Sequence, residues 1–183
     1  RAVPQRLTAP KAVDDWFEKA AKGLNNYQKS MLRRRWATME ELMSSGERKQ
    51  RIMADIIHDF GVRPRLSNDR GTAILVAASI YDACHYYRLF QNTHFGKHCG
   101  IITSFEPNHN AISQEPKDSD ERYKFDTYTQ HVLKAGQSTT QYETEMKRRF
   151  IEEPANLKLL IVVSKLLTGF DAPILQVMYL DKP

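Results

Sequence analysis

Five apolar residues in a row, Leu159-Leu-Ile-Val-Val163, restrict this chain more than any other stretch. A strand that is apolar at every position is buried on both faces, the environment of a central strand in a parallel sheet. The run then breaks into a loop carrying Ser164, Lys165, Thr168, Gly169 and Asp171, and Pro173 stops it. A second apolar run, Ile174 to Leu180, follows at once. In an open α/β sheet, ligands bind at the carboxyl ends of the strands. A loop with a hydroxyl, an amine, a glycine and a carboxylate in that position is the first place to look for chemistry.

The 183 residues are enough to bury one core, with or without a small appendage. No apolar run approaches the roughly 20 residues of a membrane helix, and the polar, basic start lacks the apolar core of a signal peptide. A cytoplasmic protein with no membrane contact is expected. The first residue is Arg, which predicts a piece of a longer protein. Two cysteines, Cys84 and Cys99, suit free buried thiols in a reducing compartment better than a disulfide framework. The net charge of +5 is uneven: residues 1–70 hold 15 Lys/Arg against 9 Asp/Glu, and residues 71–183 hold 12 against 13. This suggests a polyanion-facing surface in the first part. A solvated basic helix face explains the same charges more simply.

Along the chain, Val13, Trp16, Phe17, Ala20 and Leu24 recur at helical spacing, as do Tyr27, Met31, Leu32, Met39 and Leu42. Arg33-Arg34-Arg35 spreads over roughly 200° of the second helix and cannot form one stripe. Ser44 with Glu47 reads as a capping box for a third helix, with a face of Ile52, Met53, Ile56, Ile57 and Phe60 and an end at Gly61. The breaker-rich loop Arg63–Gly71 places a boundary between a helical segment, 1–70, and an α/β segment, 71–183.

Ala73–Ala78 reads as a buried strand, followed by a helix that Ser79 caps and whose face is Ile80, Ala83, Cys84, Tyr87 and Phe90. A strand leading into a capped helix presents free amides, a natural phosphate position, although an ordinary βα turn looks the same. Cys99–Ser104 is the next strand, and residues 105–118 are a loop or insertion. Asp118 with Glu121 predicts a helix over 119–134 that Gly136 closes. Thr140 with Glu143 predicts another, with a stripe of Tyr142, Met146 and Phe150 that ends at Pro154. The order β, α, β, insertion, α, β, β predicts a parallel sheet with right-handed crossovers.

Several chemistries lack their motifs. The eight glycines never form G-x-x-x-x-G-K-[ST] or G-x-G-x-x-G, so the chain does not grip a nucleotide in either of those ways. His94, His98, Cys99 and His109 lack the paired spacing of a zinc site. No G-x-S-x-G supports a Ser/His/Asp hydrolase. Glu152-Glu153 sits at a helix end and reads as surface.

Leu159–Pro173 resembles motif V in the second RecA-like domain of superfamily-2 helicases, in the version found in motor (R) subunits of type I restriction–modification enzymes. Ile174–Lys182 fits the strand that follows. Ala73–Ala78 with Ser79 to Phe90 resembles motif IV and its helix, and Thr103-Ser104-Phe105 the short strand after it. The resemblance covers residues 71–183 and stops before motif VI. It implies a partial RecA-like domain within an ATP-dependent DNA translocase and endonuclease that works on double-stranded DNA with methylation and specificity subunits. ATP and Mg2+ would be held mainly by groups outside this chain, which alone is expected to be inactive.

By the same resemblance, Gly169 permits tight backbone beside the bound strand, and Asp171 matches the motif-V acid that reaches the nucleotide ribose side of the ATP cleft or couples that cleft to the nucleic acid. Ser79, Ser104, Ser164 and Thr168 would face the DNA backbone. Thr168 stands where many helicases have arginine, and Val163-Ser164 where RNA-unwinding relatives have Thr-Asp, which favours the restriction-motor version. Plainer roles exist: Ser164 and Thr168 capping the loop, Gly169 making a turn. A non-enzymatic binding module on a Rossmann-like scaffold is the rival function.

Overall fold

Thr72-Ala-Ile-Leu-Val-Ala77 forms strand β1, and all six residues are buried. It belongs to a computed structural model in which residues 46–163 and 175–181 are described. The expected helices before residue 44, the Ser44 cap and the whole of the loop with Ser164, Thr168, Gly169 and Asp171 lie outside the described residues. The chain divides into two compact units, Arg1–Asp55 and Ile56–Pro183.

Three further strands complete the sheet: β2 (Cys99–Ile102), β3 (Leu159–Val162) and β4 (Leu175–Asp181). Their order is β2-β3-β1-β4, and every pair is parallel. The two unbroken apolar runs are the two central strands, and all four residues of β3 have no exposure at all. Apolar side chains on both faces leave no polar face to turn toward water, so these runs take the middle. The run Ile174–Leu180 behaves otherwise. It makes an edge strand of alternating character, with Met178 44% and Leu180 69% exposed while Asp181 is buried.

Helices cover both faces. Paired residues of parallel strands share a face, so Gly100, Leu160 and Ile74 lie together. The helix Thr139–Glu152 packs there: a Cβ on Gly100 would stand 3.0 Å from Leu160 Cδ2 and 3.1 Å from Met146 Sδ. Over the other face runs α2 (Ile80–Gln91), burying Ala83, Cys84, Tyr86, Tyr87 and Phe90. The described part of helix α1 spans 46–62, passing the expected stop at Gly61, whose Cβ position meets nothing within 4 Å. In the second unit Ile56 and Phe60 are its buried residues. The Phe60 ring lies 4.9 Å from that of Phe95.

The insertion carries a short helix, α3 (His109–Ile112), where a loop is expected. Helix α4 (Asp120–Thr127) continues into a π turn, Tyr128–Val132, and its cap is Ser119 rather than Asp118. Helix α5 (Thr139–Glu152) buries Tyr142, Met146 and Phe150 as the stripe predicts. Its capping box is Ser138 with Gln141, not Thr140 with Glu143. Both starts preserve the stripe; the hydroxyl that meets the free amides of the first turn decides between them. Both cysteines are free and buried. Burial pushes the Cys84 thiol up to about 12 and Cys99 well above its usual range.

Candidate functional site

The strand order selects one edge of the sheet. The chain leaves β1 to reach β2 beyond β3, and leaves β3 to reach β4 beyond β1. Adjacent carboxyl ends therefore send the chain in opposite directions, the arrangement that opens a ligand crevice in such sheets. Val76, Val162 and Ile102 form one row across three strands. The residues just past that row, toward Ser79, Val163 and Ser104, gather at this edge.

Ser79 has the extended backbone of an N-cap, φ −141° and ψ 167°. Its Oγ accepts from the Asp82 amide at 3.0 Å and donates to Asp82 Oδ2 at 2.8 Å. The hydroxyl is thus committed to the cap, and Asp82 already supplies an acid at the positive end of α2. Ser104 differs. It is exposed, and its neighbour Thr103 is buried, with Oγ1 2.7 Å from the Tyr128 hydroxyl and accepting from the Phe105 amide at 3.1 Å. Those bonds pin the turn and leave Ser104 at its tip. Burial raises the Tyr128 phenol, so it remains a neutral partner for Thr103. The Lys124 ammonium pairs with Glu121 and lies 5.6 Å from the Phe105 ring, close to Ser104 in the chain.

Beyond Ser104 a cleft of about 490 Å³ opens between Glu106, His109, Lys134 and the start of α5 at Ser138 and Thr139. Gly136 borders it with φ 74°, a backbone angle that side chains disfavour.

Asp181 was not singled out by sequence reasoning. It ends β4 opposite Ala77 and is buried at 6% exposure. Its Oδ2 accepts from the Tyr86 hydroxyl at 2.6 Å, a bond between residues 95 apart in sequence. One faint signal exists: Val177, Tyr179 and Asp181 alternate, which puts an acid on the covered face.

The histidines do not converge. His98 Nδ1 lies 3.1 Å from the Asn156 carbonyl at the amino end of the sheet, whereas His109 stacks edge-on against Phe125 after β2. Among the described residues no three His, Cys, Asp or Glu side chains are placed to hold a metal ion, and no helix is long and apolar enough to cross a membrane.

A family model described as type I restriction enzyme subunit R, domain 3, matches residues 69–183, the stretch that builds this sheet and its edge. The chain belongs to the type I restriction enzyme R-subunit family. Its α/β fold is that of a partial RecA-like domain. Two curated relatives agree with the R-subunit assignment. A Methanocaldococcus jannaschii protein assigned as the MjaIXP type I restriction enzyme endonuclease subunit is 26% identical over 156 residues, 85% of this chain and 13% of the relative. The HindI endonuclease subunit of Haemophilus influenzae is 30% identical over 148 residues, 79% of this chain and 12% of the relative. This R-subunit chain thus spans about an eighth of the length of the relatives it matches.

Proposed function

We propose that this chain is the second, gripping half of the motor in a type I restriction enzyme R subunit, an ATP-dependent DNA translocase and endonuclease. One observation carries the reading: β1 and β3, adjacent and parallel, send the chain in opposite directions, so Ser104, the α2 cap and Asp181 collect on the edge where β3 ends and the stretch 164–174 follows. ATP, with Mg2+, supplies the bond whose hydrolysis drives the cycle. The described residues do not fit a metal ligand set, and the main groups that hold both would lie on a preceding domain.

This chain's own residues have simpler tasks. Ser104 offers an uncommitted hydroxyl to a phosphate oxygen. Ser79 closes the first turn of α2 and keeps that wall of the crevice in place. The Tyr86–Asp181 bond ties the carboxyl end of β4 to α2 at this edge. Within the stretch 164–174, Ser164 and Thr168 would reach the DNA backbone, Gly169 would let it approach closely, and Asp171 would couple the grip to the ATP cleft. Phosphate contacts of this kind are salt-sensitive and nearly independent of sequence. Double-stranded DNA and the methylation and specificity subunits are the proposed partners, and the cytoplasm the proposed location.

The test is Asp171→Ala in the full-length subunit. DNA-stimulated ATP hydrolysis should be abolished while duplex affinity holds; wild-type turnover would remove Asp171 from the site. One feature favours the rival, a non-enzymatic binding module: Asp82 and the committed Ser79 hydroxyl disfavour a phosphate at α2. The full-length gene separates the two, since the motor needs a phosphate loop and an acidic D-E-x-x motif upstream and an arginine-bearing motif downstream.

A further inference from the structure

Each strand of the sheet begins beside a basic side chain. Lys97 lies in the 3-10 turn Gly96–His98 directly before β2, and Lys158 directly precedes β3. Arg70 stands two residues before β1. Arg65 joins Arg70 in lining a shallow cleft that includes Gln176 of β4. Taken in strand order, the row reads Lys97, Lys158, Arg70, Arg65. Neighbouring strands are about 4.8 Å apart, so four strands span roughly 14 Å.

The row is physically continuous. The Lys158 amide donates to the His98 carbonyl at 2.9 Å, and its Nζ donates to the Asn68 carbonyl at 2.8 Å, inside the loop that carries Arg65 and Arg70. A carbonyl partner leaves the Lys158 charge uncancelled. Arg65, Arg70 and Lys97 are exposed and make no ion pair among the described residues. Arg63, Lys124, Lys147, Arg148 and Arg149 each meet a carboxylate, whereas Arg88 and Arg122 bond to a hydroxyl and to carbonyls. The acids near this edge are largely taken. Asp59 is held by Arg63 and Tyr179, and Glu152 and Glu153 by Arg148. Asp69, in the same cleft as Arg65 and Arg70, is the opposing charge that remains.

We propose that this amino-edge row is a second contact for the phosphate backbone of duplex DNA, on the edge of the sheet opposite the crevice. One DNA strand presents a phosphate about every 3.4 Å along the axis, so roughly 14 Å faces about four of them. The cleft between Arg65 and Arg70 is lined by Pro64, Asn68, Asp69 and Gln176 and offers none of the aromatic anchors that dominate protein interfaces. With the crevice reading it shares only the ligand, since none of its residues lies at the carboxyl edge.

The test uses the full-length subunit and a duplex of arbitrary sequence, with affinity measured by fluorescence anisotropy across a salt series. In the triple variant Arg65→Gln, Arg70→Gln, Lys97→Gln, the slope of log affinity against log salt should flatten by about 0.9 per lost contact, up to about 2.7. The charge-keeping variant Arg65→Lys, Arg70→Lys, Lys97→Arg should retain the wild-type slope. An unchanged slope in the neutral variant overturns the proposal, as does an equal loss in the charge-keeping one. A neutral variant that keeps its slope but no longer assembles with partner subunits assigns the row to an acidic protein surface, which also overturns it. The crevice is tested separately, because Asp171→Ala acts on ATP turnover and leaves this slope intact.

Discussion

Replacing Tyr86 by Phe removes one hydroxyl and tests what ties β4 to the rest of the sheet. Tyr86 is fully buried and Asp181 is 6% exposed, so neither group finds ready compensation from water. Their 2.6 Å separation falls within the short range of a hydroxyl bonded to a carboxylate. Bonds to charged groups contribute about 1.5–3 kcal/mol. Tyr86→Phe should therefore destabilise the domain by about 2 kcal/mol, on the order of a 30-fold shift in the unfolding equilibrium. Asp181→Asn keeps the shape and one carbonyl acceptor but removes the charge. In that background Tyr86→Phe should cost only about 0.5–1.5 kcal/mol. The four proteins form a double-mutant cycle, read by urea unfolding with circular dichroism. Additive losses would show that the two groups do not interact energetically. A Tyr86→Phe cost below about 0.5 kcal/mol would refute the argument from burial.

Two more outcomes follow from the packing. Gly71→Ala should lose stability by about 1–3 kcal/mol or more, because its Cβ would stand 2.5 Å from the Leu66 Cα and carbonyl oxygen, backbone atoms that cannot swing aside. Gly61→Ala, in open space on α1, should instead gain up to about 1 kcal/mol, and equal effects in thermal unfolding would discredit the steric account. Alkaline pH supplies the other outcome. Burial raises Cys84 from 9.0 to about 12 and Tyr87 from 10.0 to about 12, so the native state holds these protons more tightly than the unfolded chain. Stability should be full below pH 9 and fall as pH rises toward about 12, with a shallower fall in Tyr87→Phe. A pH series of urea midpoints checks the sign, and rising stability over that interval contradicts it.

Much of the fold was readable locally. The β1 and β3 runs, the α2 face and the Tyr142, Met146, Phe150 stripe each depend on residues within a few turns of one another, and each formed where its pattern lies. The caps were less legible. Ser138, Thr139 and Thr140 are three hydroxyls in a row, and periodicity fits a start at any of them. The backbone entering the helix chose Ser138. The place of the Ile174–Leu180 run was open for a related reason: an apolar run does not say how many of its faces will be covered, and β4 lies at the edge. For the site, sequence pointed to the carboxyl ends and to Ser79 and Ser104, but not to which hydroxyl is free. That depends on Asp82 binding one and on Tyr128 and Thr103 freeing the other.

By itself the sequence determined a parallel α/β domain of the R-subunit family and the strand end to watch, because burial periodicity and the 159–173 motif are encoded in contiguous residues. Tertiary structure alone decided the order β2-β3-β1-β4. That order brings Asp181 to Tyr86 across 95 residues and lines up Lys97, Lys158, Arg70 and Arg65 along one edge. The physical reason is that a strand's pattern specifies how many of its faces are buried, while its neighbours are chosen by packing among distant segments competing for the same central positions.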